Sequence, residues 1–148
     1  MRRFLFLLCV IIIIGTGCGK KGPPLYHTDV FNLRVDNLKI EQKSRTLILS
    51  GKIKSSKGSV SAEKIRAMVG GCRIYYRSYL PNEPPCRGCP INFTEYYERG
   101  SDVVRGDSFI CHISGITLNR LYIFRINLIS KKGIPGPFSD QLQFETRD

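Results

Sequence analysis

From Val30 to the end of the chain, apolar and polar residues alternate with a period of two, and turn-forming residues interrupt the alternation at short intervals. That period puts successive side chains on opposite faces of an extended backbone, so each stretch can bury one face and leave the other in water. Val30 to Leu38 supplies a first strand and Thr46 to Ile53 a second, with Leu47 and Leu49 on one face and Ile48 and Ser50 on the other. Residues 54–71 read as a polar loop with one helical turn at Ala62 to Met68. Cys72 to Tyr79 alternates clearly: Cys72, Ile74 and Tyr76 point one way, Arg73, Tyr75 and Arg77 the other. Pro81, Pro84, Pro85 and Pro90 then forbid regular pairing around Cys86-Arg87-Gly88-Cys89, because proline has no N–H to give a neighbouring strand. Further strands are expected at Phe93 to Glu98, at Ser108 to Ser114 with Phe109, Cys111 and Ile113 on one face, at Leu121 to Ile129, and at Phe138 to Glu145. Within Leu121 to Ile129, Tyr122, Phe124, Ile126 and Leu128 face inward, and Arg125 and Asn127 outward. Seven short strands, each with one apolar face, imply an all-β antiparallel two-sheet sandwich.

The run Ile116-Thr117-Leu118-Asn119-Arg120-Leu121-Tyr122-Ile123-Phe124-Arg125-Ile126, followed by Gly133 and Pro137-Phe138-Ser139, resembles the corner, penultimate strand and last turn of a fibronectin type III domain. Asn32-Leu33-Arg34-Val35 and Ile74-Tyr75-Tyr76-Arg77 resemble its first and third strands. The resemblance implies an immunoglobulin-like sandwich over residues 30–148, with Tyr122 as the corner tyrosine whose hydroxyl bonds back to the loop. Two departures stand out. The family's second strand ends in a core Trp, whereas Leu49-Ser50-Gly51 offers Gly51 in a chain without Trp, so Tyr76 and Phe109 are expected to fill the core. The other departure is the Pro- and Cys-rich insertion after the third strand.

Ahead of this domain, Arg2 and Arg3 precede the apolar run Phe4 to Ile14, and Gly15-Thr16-Gly17-Cys18 follows. A basic start, a short apolar segment and small residues before a cysteine form a secretion signal, and the run is shorter than the roughly 20 residues of a membrane-crossing helix. The segment resembles a bacterial lipoprotein signal, departing from its pattern where Gly15 replaces the usual Leu. An ordinary cleaved signal and an uncleaved anchor are the alternatives. The resemblance implies a signal peptide over 1–17, cleavage before Cys18, and diacylglycerol plus an N-acyl chain on Cys18 as the sole attached groups. Residues 18–29, rich in Gly and Pro, are a tether. Its Cys18-Gly19-Lys20-Lys21-Gly22-Pro23-Pro24-Leu25 also resembles the start of small proteobacterial lipoproteins that help mature the lipopolysaccharide export translocon. Gly19 is not the Asp that favours inner-membrane retention in such proteins, which implies an outer-membrane address facing the periplasm.

Formal net charge is +11, and without Arg2 and Arg3 the chain still holds 21 basic against 12 acidic side chains. Export removes nucleic acid as a partner and leaves anionic lipids, anionic glycans and acidic envelope proteins; the plainer reading is that the excess cations keep the surface solvated.

Of six cysteines, Cys9 leaves with the signal and Cys18 carries lipid, so Cys72, Cys86, Cys89 and Cys111 remain. An even number in an oxidising compartment suggests two disulfides, with metal binding or thiol exchange as the other uses of Cys86-x-x-Cys89. Alignment with the fibronectin type III pattern puts Cys72 and Cys111 on inward faces, where they could bridge the sheets and leave Cys86 to pair with Cys89. Haem attachment is excluded, since Pro90 stands where His is needed.

No catalytic constellation is visible. His27 falls in the tether and His112 on an outward strand face, neither beside a nucleophile and a carboxylate. An enzyme is therefore not expected, nor a resident metal. What remains is an exposed sheet face carrying Arg73, Tyr75, Arg77, Arg125 and Asn127, extended by Tyr96 and Tyr97, whose residue types are those of binding hot spots. The expected function is a lipid-anchored, non-catalytic binding or scaffolding module of the cell envelope; an assembly factor for an envelope machine and a Cys-based redox or metal protein are the alternatives.

Overall fold

The computed structural model describes residues 30–86 and 88–148. The expected signal, Cys18, the expected tether and His27 lie outside the described residues. Two antiparallel sheets form the sandwich. Strands β1 (Leu33–Lys43), β2 (Thr46–Ser55), β6 (Ser108–Ser114) and the two-residue β5 (Val104–Arg105) build one sheet in the order β1-β2-β6-β5. The other runs β4 (Glu95–Gly100), β3 (Val69–Tyr79), β7 (Leu121–Ser130) and β8 (Pro135–Phe138), with β9 (Leu142–Glu145) also pairing β7. Helix α1 (Ala62–Met68) sits where one helical turn was expected; the Ser61 side chain accepts from the Lys64 N–H, and Ile65 is buried against the core.

Strand faces follow the alternation. Leu47, Leu49, Phe109, Cys111 and Ile113 on one sheet face Ile74, Phe124, Ile126 and Leu128 on the other, all nearly without exposure. Strand ends differ where pairing, not apolarity, sets the limit. β1 runs to Lys43 because Lys39–Lys43 pair with Thr46–Ser50 across a tight turn, past a bulge between Asp36 and Lys39. The edge strand expected at Phe93 to Glu98 lies at Glu95–Gly100. The expected closing strand splits into β8 and β9, since Ser139 turns inward: its N–H donates to the Ile126 carbonyl at 2.7 Å and its hydroxyl accepts from the Ile126 N–H at 2.9 Å.

The missing tryptophan is replaced as expected in one respect. Phe109 is fully buried directly opposite Gly51, while Tyr76 stays half-buried and stacks on Tyr97 at 4.8 Å. Gly51 is required there: a Cβ would meet Val35 Cγ1 at 2.6 Å and the Asp36 carbonyl at 2.9 Å.

The corner expected at Tyr122 is present. Its hydroxyl accepts from the Thr117 N–H at 3.0 Å, and buried Thr146 closes the same loop by accepting from the Arg120 N–H at 3.0 Å. Tyr122→Phe leaves the Thr117 N–H without that acceptor, so a loss of about 1–2 kcal/mol in urea unfolding is expected. An unchanged midpoint would mean that the corner contributes nothing to stability.

Candidate functional site

The outer face of the β4-β3-β7-β8 sheet gathers the predicted surface residues by register. Tyr75 on β3 lies between Tyr96 on β4 and Arg125 on β7, and Arg73 lies between Glu98 and Asn127, with Asn127 next to Phe138 on β8. Aromatic rings form a row across the strands: Tyr96 and Tyr75 are 5.5 Å apart, and Phe138 meets Tyr75 edge-on at 5.5 Å. Tyr96 is 52% exposed and Phe138 38%, so the two ends of the row are open to solvent.

The arginines behave differently from one another. Arg73 pairs with Glu98 and covers the Tyr96 ring at 5.5 Å, and Arg77 donates to the Thr94 hydroxyl at 2.8 Å. Among the described residues no carboxylate pairs with Arg125. Its guanidinium sits 3.9 Å from the centre of Phe138, 4.6 Å from Phe93 and 5.8 Å from Tyr75. Such stacking favours a desolvated cation over bare rings. It fastens the loop carrying Phe93 onto the sheet, and Ile123, outward by register, has no exposure.

Asn127 corrects the expectation. It is outward by register yet only 3% exposed, because Phe138 and the arginine beside it close over it. Its Oδ1 and the Arg125 Nε are both buried without a hydrogen-bond partner, a donor and an acceptor two residues apart on one face. Leaving such groups unpaired costs about 1–3 kcal/mol each.

By register Arg73, Tyr75 and Arg77 lie on this face with Tyr96, and the sequence reading did not name Phe138 or Phe93 for it. Phe138 could have been found from its place after Gly136-Pro137, although it closes β8 rather than opening the expected strand. Phe93 lies in an irregular loop, where no periodicity points to a face. Tyr97, the other tyrosine named for the patch, turns inward onto Tyr76.

The cysteines divide. Cys86 and Cys89 are disulfide-bonded, closing the loop after β3. The bridge expected between Cys72 and Cys111 is not formed: both are free thiols, at 1% and 2% exposure, packed as small apolar groups between the sheets. Burial pushes the Cys72 thiol up to about 12, helped by the neighbouring Cys111, and raises Cys111 as well. Neither is a ready nucleophile, since the thiolate is the reactive form. His112 is exposed on the opposite sheet. Among the described residues no group of three His, Cys, Asp or Glu side chains could hold a metal ion, and no helix is long and apolar enough to cross a membrane.

Two sheets in this order, with a tyrosine corner ahead of β7, define a fibronectin type III-like sandwich. The third fibronectin III domain of the human KIAA0343 protein aligns with a TM-score of 0.55 at 18% identity, covering 88% of this chain and 94% of that one. The sixth fibronectin type III domain of human fibronectin type III domain containing protein 3 aligns at 0.39 with 15% identity, over 77% and 84% of the two chains. A solved myokine structure aligns at 0.49 with 15% identity, over 78% and 97%. No family model matches the chain, and no curated protein matches it.

Proposed function

We propose that this chain is a lipid-anchored cell-envelope protein whose fibronectin type III-like domain is a non-catalytic binding module, using the outer face of the β4-β3-β7-β8 sheet. The observation that carries the binding reading is the open aromatic row Tyr96-Tyr75-Phe138 with Arg73 and Arg77 beside it. Tyr and Arg concentrate binding energy at interfaces. The excess of 21 basic over 12 acidic side chains that remains without Arg2 and Arg3 selects an acidic protein surface as partner. The anchor reading rests on the signal-like order of residues 1–18: Cys18 takes diacylglycerol on sulfur and an acyl chain on its new amino group, and two or more chains hold a protein stably where one does not. Gly19 directs it to the outer membrane, facing the periplasm.

The test places a photoreactive phenylalanine at Tyr96 or, as control, at His112 on the opposite sheet, in cells producing the chain. A discrete protein adduct from position 96, absent from 112 and lost with Arg73→Glu and Arg77→Glu together, is expected. Equal labelling from both positions would sink the assigned face, and a heterodisperse adduct removed by glycan hydrolysis would replace the protein partner by an anionic glycan. Intact mass of the membrane-extracted chain tests the anchor: it should start at Cys18 and carry acyl groups.

A further inference from the structure

We infer that the end of the sandwich where the chain enters is a docking base for an anionic phospholipid surface. That end is built from the entry segment, the loop and helix over 56–68, and the turn over 131–134. Between them lies a groove of about 360 Å³, lined in part by Val30, Phe31, Ala67, Met68, Lys131 and Ile134. Its floor is apolar, and Val30 at its lip is 67% exposed. The groove's shape is fixed by backbone, since the Lys131 N–H donates to the Met68 carbonyl at 3.0 Å.

Lys131 and Lys132 line the groove, and the adjoining segment 56–68 carries Lys57, Lys64 and Arg66 against Glu63, with Asp107 beside its Gly58–Val60 stretch. An exposed apolar lip beside a cluster of cations is an arrangement that seats on an anionic bilayer, where head groups meet the lysines and the apolar side chains reach the acyl boundary. Two observations choose the bilayer over other occupants. One is this charge, which repels a second copy of the same end. The other is where the chain outside the structure arrives: residues 18–29 join the domain at Val30, and twelve residues extend at most about 40 Å. An anchor at Cys18 attaches the domain to the membrane through this end, and Lys20 and Lys21 add to the same field. The geometric part rests on the anchored reading above, whereas the groove and its charge do not.

The full chain is mixed with vesicles of phosphatidylcholine alone or with part of it replaced by phosphatidylglycerol, floated, and followed by amide hydrogen exchange. Flotation reports the anchor and exchange reports the docking. The expected result is flotation with both vesicles and slowed exchange over 56–68 and 131–134 only where phosphatidylglycerol is present. Reversing Lys64, Arg66 and Lys131 to Glu should weaken that protection at least about 100-fold, at about fivefold per cation. Exchange elsewhere in the variant should match the unaltered chain, which establishes that it is folded. Identical exchange on the two vesicles would overturn the inference, as would protection that the triple reversal leaves intact, since that marks occupation by residues 18–29 or another protein. A chain that floats only with phosphatidylglycerol would fail the anchor and support the docking base; one that floats with neither fails both.

Discussion

Replacing Phe109 by alanine is expected to lower the stability of the domain by about 3–5 kcal/mol, read as the shift in urea unfolding free energy. The ring is fully buried at the place where the sandwich lacks a tryptophan, and the neighbours cannot close the hole. Gly51 directly opposite has no side chain to move in, and the Val35 methyl and Asp36 carbonyl already fill the space its Cβ would take. Domains of this size are stable by about 5–15 kcal/mol in total, so the loss is a large share. Phe109→Leu, which keeps most of the volume, should retain most of the stability. A loss below about 1 kcal/mol for the alanine variant would mean that the core repacks around the gap.

Much of this core was legible in the sequence because it depends on alternation alone. Leu47 with Leu49, Phe109 with Ile113, and Tyr122 through Leu128 fall on the buried side as the period of two requires. Ser108–Ser114 begins and ends where the pattern does. What pairing decides was not legible. The polar end of β1 is held by its register with β2 and by the reciprocal hydrogen bonds of Gln42 with the Arg147 backbone, and the inward turn of Ser139 depends on β7. The site shows the same division: an outward register is written in the sequence, but exposure is not. Asn127 and Ile123 are outward yet buried, and Arg125 between them is clasped by Phe138 of β8 and Phe93 of an irregular loop, contacts that no local spacing encodes.

Stability is expected to fall as pH rises from 9 toward 12. The Cys72 thiol is pushed up to about 12 from its ordinary 9.0, first by burial and then by Cys111. The unfolded chain therefore loses this proton near pH 9 while the folded chain keeps it, so stabilisation is complete below pH 9 and is lost through the folded value. Three units correspond to at most about 4 kcal/mol by pH 12. Cys72→Ala should flatten that slope in urea midpoints taken from pH 7 upward. Tyr76, pushed up by its hydrogen bond to Glu95 and by burial, contributes in the same direction, and Tyr76→Phe isolates its share. In the folded protein at pH 8, alkylation of Cys72 should run about 1000-fold slower than that of an ordinary thiol, the ratio of their thiolate fractions. Stability that is flat to pH 11, or rapid alkylation, would show that the thiol is not held protonated by the core.

Strand β3 starts beside the entry groove and ends at the loop that the Cys86–Cys89 bond closes. Eleven residues at about 3.3 Å each make it a mast of about 36 Å, braced on both sides by β4 and β7. A braced mast converts a point of attachment into a height. The ring row of Tyr96, Tyr75 and Phe138 then stands at a fixed elevation above whatever surface holds the foot of the domain, and the disulfide-closed loop stands higher still. Partners would be sorted by stature as well as by charge.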